Sequence, residues 1–492
     1  MTEVKQSHPP GLAVLFMAEM WERFSYYGMR ALLTLYCAAT LFAQDPDPEA
    51  SAYAIYGSYT ALVYLTPLFG GMLADRVLGF RKAVMLGGIL MAVGHFVMAF
   101  EHEQIFYLAL AFIIVGNGFF KPNISSIVGR LYDEGDKRRD AGYTIFYMGI
   151  NLGAFLSPIA CGYLGENVGW HWGFGLAGVG MLAGLAQFYY GKKHLEGKAE
   201  PPDPEALAKA TPLGVSREWA VYIGAFASVF VFWWLVQQHK LVSVVLIVLA
   251  VGSIAFIAGY AITKCEKVQA QRLVVAAILI AFSVVFWAFF EQAGSSLNIF
   301  ARDYVDLSLA PISTWEMPVS WTQSFNSMFI LLFGIPFSVM WITLARKDLE
   351  PSIPMKFGLG IFQVGIGFIC LWYGAHIMPE DSKVGLIWLV LGYMFHTTGE
   401  LCVSPVGLSM VTKLAPQQIT GFVMGMWFLF TAFANNLAAI IAGFTTGDDV
   451  GAAAGVMAYG NVFWVIAMLA FGFGVFVSLI SPLLKRWMHG VT

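Results

Sequence analysis

Near its start the chain reads Glu19-Met-Trp-Glu22-Arg23-Phe24-Ser-Tyr26-Tyr27-Gly28-Met-Arg30, set between apolar runs. At about 100° per residue, Glu19, Glu22, Arg23, Tyr26, Tyr27 and Arg30 fall within an arc of about 140°, while Trp21 and Phe24 point elsewhere. Carboxylates, guanidinia and phenols thus share one helix face, a set that can pass protons and hold a charged solute. At mid-membrane each ionised group costs about 2.5–3.5 kcal/mol, so four on one helix demand compensation. An ion-pair network that locks helices together would supply it. A polar face lining a cavity would supply it too, and that is the expectation with functional content.

Further polar groups sit inside later apolar runs. Lys121 precedes a proline in Gly116-Asn-Gly-Phe-Phe-Lys121-Pro122-Asn123, Tyr64 lies in Leu62-Val-Tyr64-Leu-Thr-Pro67, and Asn151 in Phe146-Tyr147-Met-Gly-Ile-Asn151-Leu-Gly153. The second half adds Trp287, Glu291, Asn326, Glu400, Trp427 and Thr431. An intramembrane lysine or glutamate is a functional candidate by default. The cations occur only in the first half and carboxylates in both, which suggests ion pairs between halves that break and re-form. Aromatic packing is the competing account of Tyr64, Trp287 and Trp427, and interhelical hydrogen bonding that of Asn151 and Asn326. No HExxH, GxSxG or paired-Asp motif adjoins a span, so an enzyme is not expected. The scattered cysteines (Cys37, Cys161, Cys265, Cys370, Cys402) lack metal or disulfide spacing, and no basic arm suits nucleic acid.

The elements that must position these groups follow from composition. Of 492 residues, 58% are hydrophobic and 12% charged, with a mean hydropathy of +0.69. Soluble domains carry about 25% charged residues, so the chain reads as an all-α polytopic membrane protein. Apolar runs of bilayer length recur near 13–42, 50–74, 83–100, 104–129, 141–163, 172–190, 218–237, 241–262, 273–301, 321–344, 357–377, 384–411, 418–444 and 457–483, fourteen spans in all. Alternate loops and the tails hold 22 of the 28 basic residues, whereas the opposite loops hold only Lys240, Arg302 and Lys383. The bias places both termini in the cytoplasm, as an even number of spans requires. A polar, proline-bearing stretch over 191–217 reads as a cytoplasmic linker after a first bundle, 1–190. Spans in 218–263 carry no intramembrane ionisable group and read as an inserted, lipid-facing pair. The second bundle follows over 264–492. Two six-helix bundles around a midplane site are the plan of many secondary transporters.

Gly71-Met-Leu-Ala-Asp75-Arg76-Val-Leu-Gly79-Phe-Arg81-Lys82 matches the G-x-L-a-D-r-x-x-G-r-[kr] loop pattern of the major facilitator superfamily. Its glycines permit a tight turn, and Asp75 can accept from a helix end or an arginine. Over nearly its whole length the chain resembles the proton-dependent oligopeptide transporters, a branch of that superfamily. Glu19-x-x-Glu22-Arg23-Phe24-x-Tyr26-Tyr27 is the most specific motif. Phe119-Phe-Lys121-Pro122-Asn123, Phe146-Tyr147-x-x-Ile150-Asn151-x-Gly153 and Gly399-Glu400-x-x-x-Ser404-Pro405-x-Gly407 support it.

The resemblance implies import of di- and tripeptides with protons by alternating access, without other cofactor, by a chain that works as a monomer in the lipid bilayer. It implies proton coupling through Glu19, Glu22, Arg23 and Glu291. Tyr26, Tyr27, Arg30, Tyr64, Lys121 and Asn151 would bind the peptide with Trp287, Glu291, Asn326, Glu400, Trp427 and Thr431. Arg30–Glu291 and Lys121–Glu400 would be gating pairs. Animal members place a histidine in the second span, where this chain has Gly57, so carboxylates must carry the proton. That is the pattern of the bacterial branch and implies an inner-membrane location. A proton-coupled nitrate or amphipathic-drug carrier is the alternative, and the complete Glu19-x-x-Glu22-Arg23 pattern favours peptide over nitrate.

Overall fold

The computed structural model describes residues 7–491 apart from 134, 137, 213, 309–314, 378–381 and 447–451. Lys5 and Lys137, two of the loop cations in the orientation count, lie outside the described residues. Fourteen helices of membrane-spanning length are present among them. The first six are α1 (Gly11–Tyr36), α2 (Pro48–Leu65), α3 (Phe80–Val97), α4 (Glu103–Arg130), α5 (Arg139–Asn167) and α6 (Trp170–Gly191). The inserted pair is α7 (Arg217–Val236) and α8 (His239–Lys264). Then come α9 (Lys267–Phe290), α10 (Ser324–Ala345), α11 (Ile353–His376), α12 (Leu386–Leu414), α13 (Thr420–Gly443) and α14 (Ala452–Trp487).

By length and composition, 12 helices among the described residues are apolar enough to cross a membrane. The two that fall short are α1, burdened by its own charges, and α6, rich in glycine and tryptophan. The sole sheet among the described residues pairs two short parallel strands, β1 (Val305–Asp306) and β2 (Val384–Gly385).

The helices form two compact units, one of 1–32 with 62–237 and one of 33–61 with 238–492. This division differs from the boundaries expected at 190, 217 and 263. It falls inside α1 and α2 and separates the inserted pair. Local contacts give the reason. In the second unit, Thr34 donates to the Gly294 carbonyl at 2.6 Å, the Tyr53 and Tyr459 hydroxyls meet at 3.0 Å, and Arg302 pairs with Glu49 at 2.8 Å. Helix α7 lies against α4 in the first unit, and α8 against α13 and α9 in the second. Both inserted helices stay largely unburied, as lipid-facing helices should, with 17% and 22% of their most apolar stretches buried.

Small residues bring the functional helices together, as they do where no hydrophobic force acts between helices in lipid. A Cβ at Gly149 would lie 3.0 Å from the Phe16 carbonyl, and one at Gly153 would meet the Met20 carbonyl and the Phe24 amide. One turn on, Gly28 sits against Ser157 and Cys161. Helix α1 therefore rests on a stripe of α5 at four-residue spacing. Its Trp21 and Phe24 turn to the other side, against Gly184 and Gly180 of α6. In the second unit α11 and α12 cross at Gly360 and Gly399, each within 3 Å of the other's carbonyl were it given a Cβ.

Candidate functional site

In the first unit the acidic half of the α1 motif is a buried cluster. Arg23 Nε lies 3.0 Å from Glu19 Oε1, one helical turn away, and also contacts Glu22. Glu19, Glu22 and Arg23 are 2%, 0% and 3% exposed. Asn117 of α4 donates to Glu22 Oε1 at 3.3 Å, and Lys121, one turn along the same face, lies within electrostatic range of both glutamates. The Arg23 guanidinium also sits 5.5 Å from the Tyr26 ring. A charge this deeply buried persists only when paired, and two carboxylates around one guanidinium leave one negative charge for Lys121 or a proton to balance.

Farther along α1 the substrate-type residues separate from that cluster. Tyr27 and Arg30 are half-buried, with the guanidinium 5.7 Å from the Tyr27 ring, and Tyr27 meets Tyr26 edge to face. Lys121 lies over the Tyr64 ring at 4.2 Å, so this candidate tyrosine, for which aromatic packing was the competing account, holds the ammonium in a cation–π contact. Asn151 is buried, and its amide donates within its own helix to the Tyr147 carbonyl at 3.0 Å. The interhelical bond that would explain it structurally is not the one its amide makes.

The second unit builds an acidic site. Helix α9 stops at Phe290, and Glu291 opens a single 3₁₀ turn, Glu291–Gly294, before a short helix, Ser296–Tyr304. Gln292 secures this break by donating to the Ala438 carbonyl of α13 at 2.9 Å, which leaves buried Glu291 at a helix end. Asn326 of α10 donates to Glu400 Oε2 at 2.9 Å and to Thr397 at 3.0 Å. Glu291 is near enough for its charge to act on Glu400. Two carboxylates and a side-chain amide form a ready seat for a cation. Trp287 is half-buried, and its indole N–H is buried with no acceptor among the described residues. Trp427 and Thr431 are buried on α13. There Trp427 fills the space over Gly407, and Thr431 donates to the Trp427 carbonyl at 2.9 Å.

The loop motif is a mechanical joint. Gly79 has φ +79°, in the left-handed region that favours glycine, and a Cβ there would fall 2.5 Å from the Pro201 nitrogen. A side chain at Gly71 would touch Pro122 at 3.5 Å. Asp75 accepts from Arg130 of α4 at 3.4 Å, as the acceptor role required, whereas Arg76 is exposed beside it. Arg81 grips Glu200 with a bidentate pair at 2.5 and 2.8 Å, and Lys82 meets Glu218 at 2.7 Å. The Arg81 guanidinium holds the Glu200 carboxyl below the usual carboxylate range. Arg81 and Lys82 therefore fasten the linker and the start of α7.

Several participants escaped sequence reasoning. Asn117 stood inside the quoted Gly116-Asn-Gly stretch, four residues before Lys121, and that shared face was its signal. Thr397 lies one turn before Glu400 in the same way. Gln292 and Gln323, which donates to the Ala293 carbonyl at 2.5 Å, had no pattern to mark them. Gly57 admits no titratable side chain, since a Cβ there would land on the Ala439 methyl.

A family model described as the POT family matches residues 81–462. The peptide transporter YePEPT of Yersinia enterocolitica is 38% identical, over 90% of this chain and 89% of its own. A di-/tripeptide transporter of Lactococcus lactis is 36% identical over 86% of each. An uncharacterized Bacillus subtilis transporter, YclF, is 39% identical over 98% of this chain and 96% of its own. Among solved structures, a peptide transporter POT in complex with sulfate aligns with a TM-score of 0.85 at 37% identity. That alignment covers 98% of this chain and 96% of the other. A POT family transporter in complex with 5-aminolevulinic acid aligns with a TM-score of 0.82 at 30% identity, covering 97% of each.

Proposed function

The chain belongs to the POT family and is a multi-pass membrane protein, and from that premise we propose that it is a proton-coupled symporter importing di- and tripeptides by alternating access. The observation that carries the reading is the buried Glu19–Arg23–Glu22 set with Asn117 and Lys121 in one unit, together with the acidic Asn326–Glu400 and Glu291 seat in the other. A zwitterionic peptide needs a charge clamp for each terminus and tolerant walls between. Arg30 and Lys121 suit the carboxylate, the first as a planar fork and the second as a point charge. Glu400, Asn326 and Glu291 suit the ammonium. Tyr26, Tyr27, Tyr64, Trp287 and Trp427 supply aromatic walls, and the Trp287 N–H can donate to a peptide carbonyl.

The coupling proposed is linkage. One guanidinium cannot neutralise both Glu19 and Glu22, so a proton there relieves the excess negative charge, and a peptide carboxylate drawing on Lys121 increases the need for it. Arg30 and Lys121 exchange the peptide for Glu291 and Glu400 as binding and release alternate. No cofactor other than the proton and no enzymatic step enters this scheme, and the monomer suffices for it. A bacterial inner membrane with both termini in the cytoplasm fits the bacterial relatives and the charge bias. The test is uptake of labelled dialanine by proteoliposomes under an inward pH gradient. Saturable accumulation competed by tripeptides and not by nitrate supports the reading, and nitrate competition would replace it with the nitrate carrier.

A further inference from the structure

The second unit has a basic cleft that the transport reading does not use. It has a volume of about 340 Å³ and lies at the end of the unit that the positive-inside bias assigns to the cytoplasm. Lys356, Lys413 and Lys485 line it from α11, α12 and α14, against a single carboxylate, Glu350. Glu350 is engaged with Lys356, which is 6% exposed, at 2.5 Å, and Lys356 also stacks at 4.6 Å on the Trp341 ring. One lysine is thereby fixed and desolvated, while Lys413 and Lys485 stand on the exposed rim.

The floor is the start of α11. Ser352 and Ile353 line the cleft, and the Ser352 side chain does not cap the helix. Its hydroxyl is engaged with Ser481 at 2.9 Å instead. Ser352 and Ile353, where the 24-residue helix begins, thus border a cleft lined by three lysines and one carboxylate, a charge balance suited to a phosphate.

We propose that this cleft binds a phosphate group, either the headgroup of an anionic lipid or a free phosphate. The lipid source accords with the position of the cleft at the membrane–water boundary, where basic residues attract anionic headgroups. The proposal stands apart from the transport reading, since no residue of the cleft belongs to the transport site.

The test uses the full chain in nanodiscs, with thermal unfolding as readout. One arm titrates phosphatidylglycerol into phosphatidylcholine discs, and a second adds inorganic phosphate to pure phosphatidylcholine discs. The wild type should be stabilised in at least one arm, which identifies the source. Lys413→Gln/Lys485→Gln, which spares buried Lys356, should raise the half-saturating concentration about thirtyfold while leaving ligand-free unfolding and dialanine uptake unchanged. Lys264→Gln/Lys267→Gln removes as much charge outside the cleft and should respond like the wild type. The proposal is overturned by no stabilisation in either arm, by a response that survives Lys413→Gln/Lys485→Gln, or by equal loss in the control variant.

Discussion

Glu22 is the residue on which coupling can be tested most cleanly. It is fully buried, contacts Arg23 and accepts from Asn117, so Glu22→Gln keeps shape and most contacts while removing the charge that a proton would neutralise. Counterflow of labelled dialanine should persist at near wild-type rates, and accumulation driven by a pH gradient should fall to background. Retained driven accumulation would remove Glu22 from the coupling role. Asn117→Leu deletes the amide that satisfies a buried carboxylate oxygen, a loss worth about 1–3 kcal/mol. It should lower the unfolding temperature by several degrees, and Asn117→Ser should recover part of the loss. The sequence displayed Glu19, Glu22 and Arg23 because charge in an apolar run is conspicuous. It concealed Asn117 because an uncharged amide carries no such cost, and only its distance of one turn from Lys121 placed it on the same face.

At the scale of elements, the glycines of α5 and the Arg81 joint decide where α1 and the linker lie. A Cβ at Gly153 would meet the Met20 carbonyl, so Gly153→Leu must push α1 away and displace Arg23 with it. Overpacking of this kind costs about 1–3 kcal/mol. Unfolding temperature and driven uptake should both fall, while Gly175→Leu, at a position with open space around it, should change neither. The linker should respond to acid. Glu200 titrates below its ordinary 4.5 because Arg81 binds its charged form. The pairing is therefore fully present above that value and is lost as pH falls through the lowered one. A spin label at Ala206→Cys should stay immobilised at neutral pH and loosen well below pH 4.5, and Glu200→Gln should loosen it at every pH. Helix positions were legible because bilayer thickness fixes span length, and α4 and α14 enclose the expected spans closely. The break in the second span had a signal in Pro67, which cannot continue the preceding helix. The partner of Thr66 had none: its hydroxyl donates to the Ile114 carbonyl of α4 at 3.0 Å, and tertiary bonds of this kind leave no periodic trace.

For the whole molecule the governing quantity is net charge moved per cycle. A zwitterionic dipeptide carries none, so every charge that crosses with it belongs to the proton. Bundle composition accords with this economy: within the spans, Arg23, Arg30 and Lys121 stand against Glu19, Glu22, Glu291 and Glu400, which leaves an excess carboxylate for a proton to neutralise. The inserted pair carries no Asp, Glu, Lys, Arg or His within 219–235 or 241–262, so it leaves that balance unaltered. At 100 mV one inward proton supplies about 2.3 kcal/mol, which corresponds to about fiftyfold accumulation at equilibrium. Proteoliposomes given a potassium diffusion potential of that size, negative inside and without a pH difference, should concentrate dialanine toward that limit. Collapsing the potential should abolish the gradient. A carrier that moved one nitrate with one proton would transfer no net charge and ignore the voltage. Dialanine uptake indifferent to the potential would therefore overturn one-proton peptide symport, whatever the pH gradient achieved.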